Sequence, residues 1–299
     1  MPSCRVFVVS GLFLAASARL PAQNFDTIQI RTQALVQGLY MLQGAGGNIG
    51  LAVGDDAVFV VDDQYAPLTP KILAAIGAVT PKPVRFVVNT HWHFDHTGGN
   101  ENMGKAGALL VAHENVRRRM SAGQFIEALN RQEPAAPPDA LPVVTFTAGL
   151  TFHINGDSVV VAHVPPAHTD GDAIVFFTKA NVIHMGDLFQ SAGLPFVDLS
   201  SGGSIHGIIS AAEAGIAMAN AQTKIIPGHG PLADRARLQA YRDMVVALRD
   251  RMRAEIAAGK TLEQVQAARI TADYERDWPG GQGSHDRFVR LAYQELSRR

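Results

Sequence analysis

Asn89-Thr90-His91-Trp92-His93-Phe94-Asp95-His96-Thr97-Gly98-Gly99-Asn100 is the stretch that decides this chain. Three histidines and one aspartate fall within six positions. Before them, Val84-Arg85-Phe86-Val87-Val88 is a β-branched and aromatic run that reads as a buried strand. After them, Thr97-Gly98-Gly99-Asn100 does not comfortably extend that strand. The polar groups therefore sit where a strand ends and the chain turns. Such a place suits a metal: zinc takes neutral imidazoles and carboxylates, and a strand end aims several of them at one point. His91 and His93, two apart, project the same way, while Asp95 and His96 lie past the start of the turn and can address a second centre. A lone histidine is ordinarily a satisfied core or surface residue, but a crowd of this kind after one strand is not explained that way. The alternation also differs from the helical His-Glu-x-x-His pattern.

Outward from this stretch the chain alternates strands and helices. Thr27 to Leu42 suggests one or two strands, and Gly44–Gly50 a tight turn between strands rather than a phosphate cradle, since no Gly-Lys element follows. Leu51–Val53 and Ala57–Val61 form a hairpin ending in Asp62-Asp63. Leu68 to Val79 has helical spacing, stopped by Pro81 and Pro83. Beyond the deciding stretch, Ala108–Ala112 is a strand and His113-Glu114-Asn115 opens a helix through Met120, with His113 a cap or packing residue. Gln132 to Pro142 carries four prolines and reads as a surface loop. Strands resume at Val143–Thr147, Leu150–Ile154 and Ser158–Val164, where His153 and His163 are structural.

Three more stations follow, each after a strand. His168 lies in Pro165-Pro166-Ala167-His168-Thr169-Asp170-Gly171-Asp172. Asp187 lies in Gly186-Asp187-Leu188-Phe189, after a strand in which His184 is structural. His229 lies in Pro227-Gly228-His229-Gly230-Pro231, where glycine and proline fix the path. Ser191 to Gly203 is a long loop whose Leu194, Pro195, Phe196 and Val197 could wall a substrate. Helices are expected at Ser204–Asn220, Asp234–Ala258, from Thr261, and at Asp286–Leu296. The side on which His206 faces is open from sequence. Both halves run strands then helices, as two similar halves packed together would.

Composition is that of a globular protein: 299 residues, 47% hydrophobic and 18% charged. A net charge of -1 carries no sign of nucleic-acid binding. The apolar run Val6 to Ala16 after Arg5, followed by Ala16-Ser17-Ala18 or Leu20-Pro21-Ala22, reads as a secretory signal peptide over residues 1–22, too short to span a bilayer. The remainder, 23–299, is expected to be one domain with C-terminal helices, periplasmic or secreted. The one cysteine, Cys4, precedes the apolar run and would leave with the leader, so no disulfide framework is available.

The His-x-His-x-Asp-His run, with the later stations in order, resembles the signature of the metallo-β-lactamase superfamily from about Leu35 to Leu232. The resemblance implies a four-layer αββα sandwich, two mixed sheets flanked by helices, with the metals on one edge. It implies two zinc ions: His91, His93 and His168 on the first, Asp95, His96 and His229 on the second, Asp187 bridging. A hydroxide between the metals would attack an acyl carbon, and Asp95 would orient it and shuttle its proton. Asp62 is implied to hydrogen-bond the metal loop. No Gly-x-Ser-x-Gly elbow offers an alternative nucleophile.

The substrate is expected to be a small molecule. β-Lactamases of the superfamily commonly carry cysteine or serine where this chain has Asp187, whereas aspartate is more typical of its thioester, lactone and phosphodiester hydrolases. Export argues for a β-lactam ring, the first substrate to test. A lactone, ester or thioester is the alternative. A diiron redox or metal-binding protein is a third reading, disfavoured because an added flavin domain would be expected.

Overall fold

The computed structural model describes residues 24–281 and 283–298. The expected leader lies outside the described residues. Six strands come first: β1 (Arg31–Val36), β2 (Leu39–Gln43), β3 (Ile49–Val53), β4 (Val58–Val61), β5 (Val84–Asn89) and β6 (Leu109–His113). A small hairpin, β7 (Gln124–Ile126) and β8 (Arg131–Glu133), precedes β9 (Val144–Phe146). The first sheet runs β1-β2-β3-β4-β5-β6-β9, antiparallel up to β4 and parallel from β4 onward. The second sheet holds β10 (Gly149–Ile154), β11 (Asp157–His163), β12 (Ala173–Phe177), β13 (Val182–His184), β14 (Lys224–Ile226) and β15 (Ala233–Asp234) in chain order. Only its β13–β14 pair is parallel.

Strand alternation divides the apolar residues between three interfaces. On β4, Val58 and Val60 pack outward under helix α1 (Thr69–Gly77), whose Ile72 and Ile76 share that cluster. Phe59 and Val61 of the same strand face the other way, against Val161, Val175 and Phe177 of the second sheet. On β12 and β13, Ile174 and Ile183 turn outward. They meet α5 (Ile205–Met218), α6 (Arg235–Ala257) and α8 (Ser284–Leu296) through Ile208, Leu238, Tyr241 and Phe288. Helix, sheet, sheet and helix thus stack as four layers, the αββα sandwich expected from sequence. Each inner sheet needs apolar residues on both faces, which is why β4 is buried throughout.

The long helices begin where sequence signals place them. Ser204 accepts from the Gly207 amide, Asp234 from the Arg237 amide, and Thr261 with Gln264 forms a reciprocal capping box opening α7 (Leu262–Ala267). His113 caps α4 (Glu114–Met120) through its ring nitrogen. Two local expectations are corrected. The turn after the deciding stretch is helical, with α2 (Phe94–Thr97) and α3 (Asn100–Lys105) separated by Gly98 and Gly99. Both glycines keep helical backbone angles and lie against the Asp63–Tyr65 backbone, where a Cβ would clash. The proline-rich loop begins inside the β7–β8 hairpin, turned by Asn130 at φ 48°. Among the described residues no helix is long and apolar enough to cross a membrane.

Candidate metal centre

All seven expected ligands meet at one edge of the sandwich. His91, His93 and the α2 residues Asp95 and His96 follow the carboxyl end of β5. His168 lies between β11 and β12, Asp187 follows β13, and His229 follows β14. Donor atoms of His91, His93 and His168 lie within 4.8 Å of one another; so do those of Asp95, His96 and His229, and those of His91, His96 and Asp187. Asp187 faces both sides. Its Oδ1 is 3.1 Å from His96 Nε2 and 3.3 Å from His229 Nε2, and its Oδ2 is 3.6 Å from His168 Nε2. Asp95 Oδ2 is 3.3 Å from His229 Nε2.

Four of the histidines are turned by partners behind them. Thr90 Oγ1 donates to Asp62 Oδ2 at 2.8 Å, so it accepts from His91 Nδ1 at 3.0 Å. His91 Nε2 is then left inward, buried and without a hydrogen-bond partner. His93 Nε2 donates to Asp198 Oδ2 at 3.0 Å, leaving Nδ1 to face His168 Nε2 at 2.8 Å. His168 Nδ1 donates to the Phe196 carbonyl at 2.5 Å. His96 Nδ1 donates to Asp62 Oδ2 at 2.7 Å, leaving Nε2 inward. A carboxylate, a carbonyl or, for His91, a hydroxyl held by Asp62 stands behind each ring and fixes which nitrogen faces the front, the arrangement that metal-binding histidines use.

The backbone makes room for these rings. A Cβ on Gly47 would lie 2.1 Å from the His96 ring, and one on Gly228 2.0 Å from Asp187 Oδ1. The glycine-rich turn between β2 and β3 is therefore a wall of the site, held by the Gln64 side chain donating to the Gly47 carbonyl at 2.6 Å. Asn48 donates to the Pro227 and Gly230 carbonyls, both at 2.9 Å, and so stitches the two halves together beside His229. Asp62 takes the left-handed region at φ 61°, a strained conformation that its bonds to the Thr90 amide, Thr90 hydroxyl and His96 hold in place.

The electrostatics divide along the same line. Burial pushes His91 well below the ordinary histidine range and His168 down to about 4, so both are neutral donors. His96 and His229 are also penalised by burial, but Asp187 and Asp95 outweigh it: His96 is raised well above its usual value and His229 to about 10. Burial would likewise raise Asp95 and Asp187, yet the two imidazoles hold Asp95 down to about 2 and Asp187 well below the carboxylate range. His91 and His168 thus offer neutral lone pairs, and the other pocket paired negative charge that calls for a cation. The donor set fits divalent metal on both sides.

Sequence reading does not single out Asp198 or the Phe196 carbonyl as partners of His93 and His168. The Asp198-Leu199-Ser200-Ser201 turn was visible as a loop only; Asp198 also accepts from the Ser200 and Ser201 amides. The Ser191–Gly203 loop is not merely an apolar wall, although the Phe196 ring does stack on His93 at 5.8 Å. Asp172, buried, accepts from the His168 and Thr169 amides and fixes that loop; burial raises its pKa to about 7. The other histidines stay away from the donor clusters. His184 contacts the Asn48 carbonyl, His113 and His163 stack on each other, and His153 meets Ser158. His206 is exposed beside Arg253 and does not face the site.

Comparison with known proteins bears on the fold and the family. The chain is 27% identical over 176 residues to 2,4-dinitroanisole O-demethylase subunit alpha from Nocardioides sp. (strain JS1661), covering 56% of this chain and 46% of that one. Its fold is similar to the stereoselective inverting sec-alkylsulfatase Pisa1 from Pseudomonas sp., with TM-score 0.69 and 18% identity over 89% of this chain and 50% of that one. It is also similar to a metallo-beta-lactamase from Pontibacter korlensis, with TM-score 0.58 and 19% identity over 73% and 99%. The chain thus spans about half the length of the demethylase subunit and of the alkylsulfatase. Residues 42–250 match the sequence profile of one family, a segment that holds every converging ligand. On that match, the chain belongs to the metallo-beta-lactamase superfamily.

Proposed function

We propose that this protein is an exported zinc hydrolase that cleaves an acyl bond of a small molecule. Membership of the superfamily supports a metal-dependent, hydrolase-type function. The observation that carries the finer reading is the convergence of seven donors in two pockets that share Asp187. His91, His93 and His168 would hold one zinc ion, Asp95, His96 and His229 a second, and Asp187 would serve both. Bound there, zinc supplies Lewis acidity and brings the pKa of water to about 7. Asp62 and Asp198 keep the ring nitrogens aimed inward. Asp95, ionised and with its side chain 17% exposed, is the carboxylate placed to accept the proton of the attacking water and return it to the leaving group. The Phe196 ring covers His93 and His168 and keeps bulk water from that side.

Imidazole and carboxylate donors without thiolate suit zinc. The apolar leader of residues 1–22 supports a periplasmic or secreted location. A β-lactam ring is the first substrate to assay, with a lactone, ester or thioester as the alternative on the same machinery. The decisive experiment combines metal analysis of the purified mature chain with nitrocefin, lactone, ester and thioester hydrolysis. About two zinc ions per chain with turnover of one class is the expected result. Full zinc loading with no turnover on the panel, or iron with redox turnover, overturns it and favours the redox or metal-binding reading.

A further inference from the structure

We propose that Arg287 anchors the substrate: its guanidinium holds a carboxylate or another oxyanion carried by the molecule cleaved at the metal centre. This rests on the hydrolytic reading of the site and adds a charge requirement to it.

Arg287 stands in the first turn of α8, half-buried, with its guanidinium carbon 5.4 Å from the centre of the Phe196 ring. That ring lies nearly parallel to His93, at 25° and 5.8 Å, and its centre is 5.6 Å from His168. Two ring contacts therefore separate the cation from the three-histidine pocket. Other arginines spend their donors: Arg119, Arg251 and Arg269 on Asp170, Asp273 and Glu275, and Arg117, Arg235, Arg237 and Arg290 on backbone carbonyls. Arg131, which sits 3.4 Å over Phe94 beside Asp95, is matched by Glu133. Arg287 has no carboxylate partner among the described residues; burial and the neighbouring Arg290 cation both work against its charge.

A guanidinium withdrawn from water with its donors unspent is costly, and a cation–π contact returns only about 0.5–2 kcal/mol. An oxyanion would complete it, and the planar fork suits a carboxylate through two parallel hydrogen bonds. Ser284, three residues earlier on the same helix face, keeps a buried hydroxyl with no partner among the described residues. That hydroxyl points at Gly280, where a Cβ would lie 2.3 Å away, beside the loop that leads from Asp187 to Phe196. Among the described residues no second cation lies over the Phe196 ring. The feature therefore selects a substrate that carries one anionic group on the Phe196 side of the three-histidine pocket.

The test uses the zinc-loaded mature chain, its Arg287→Gln and Arg287→Lys variants, and two probes. Isothermal titration compares benzoate with benzamide. Steady-state kinetics compares 4-nitrophenyl acetate with the 4-nitrophenyl monoester of succinate. Arg287→Gln is expected to weaken benzoate about tenfold and to raise the ratio of the succinate-ester KM to the acetate-ester KM by a similar factor. Arg287→Lys should fall between, because it keeps the charge but loses the fork. Equal effects on both esters, or benzoate binding that Arg287→Gln leaves unchanged, overturn the proposal and leave a structural prop for Phe196. Should neither ester be hydrolysed, the acyl-hydrolase reading fails while the benzoate titration still decides on Arg287. A folding defect in Arg287→Gln shows as lost zinc content, and the Lys variant then carries the comparison.

Discussion

Asp62 and Asp198 do the same work from opposite halves of the molecule. Each is fully buried, and each accepts a ring N–H so that the opposite nitrogen faces the donor cluster. Asp62 reaches His96 from the end of β4, which pairs in parallel with the β5 strand leading into the metal stretch. The two residues are 34 positions apart and held by neighbouring strands. Asp198 reaches His93 across 105 positions, from a loop of the second half with no strand to carry it. Asp62 also fastens the Thr90 amide and hydroxyl, and so indirectly His91. Asp198 instead closes its own loop through Ser200 and Ser201. One brace is carried by the sheet and reaches both pockets, the other by a loop and reaches the three-histidine pocket alone.

The largest expected effect separates the pockets themselves. His93→Ala and His229→Ala should each lower bound metal by about one ion per chain. Hydrolysis should fall by more than the roughly hundredfold that a supporting residue costs. Metal analysis beside folded-state spectra checks this; equal loss of both ions from each variant would mean that the pockets do not fill separately.

Next comes the contrast between the braces. Asp62→Ala strips the partners of Thr90 and His96 and puts alanine where the backbone is left-handed, so the chain should lose about 3 kcal/mol or more. Asp198→Ala should keep more of the fold and lower affinity at the three-histidine pocket by about 10- to 100-fold. Thermal melts with and without chelator, followed by metal titration, rank the two. A greater loss of stability in Asp198→Ala would invert the comparison.

A pH series gives a smaller, signed effect. In chelator-stripped protein the carboxylates Asp187 and Asp95 raise His229 from 6.5 to about 10, against its burial. A raised histidine stabilises the fold fully below its unfolded value, and that contribution fades as pH climbs from about 6.5 to 10. Stripped protein should therefore lose thermal stability over that window, with zinc-loaded protein changing less. Metal affinity should move the other way and weaken as pH falls, because His96 and His229 must release protons to bind. Melts that do not change with pH in stripped protein would contradict the charge balance drawn for this pocket. Smallest of all, His206→Ala, at an exposed site away from both pockets, should change stability by no more than about 0.5 kcal/mol and leave metal content alone.

Much of the site was legible because its chemistry is written at strand ends. His91 to His96 are crowded enough to stand out, Asp187 follows a glycine at a strand end, and His229 sits between glycines and prolines that make sense only if something approaches the backbone closely. The sandwich was legible from β-branched runs such as Val58–Val61 and from helix caps such as Ser204 and Asp234. The helical turn at Phe94–Thr97 was less so, because its glycines look like loop residues until the packing against Asp63–Tyr65 is seen. Asp198 was read only as loop, Phe196 as part of a possible substrate wall, and Arg287 only as part of the last helix.

The order of ligands along the chain, their kinds, and the apolar alternation that makes two sheets were determined by sequence alone, since each depends on neighbours a few positions away. Which nitrogen of each histidine faces inward, which group stands behind it, and that Arg287 lies against the Phe196 ring were decided by tertiary structure. Those features depend on groups brought together across 28, 34 and 105 positions, and a hydrogen bond reports contact in space rather than distance along the chain.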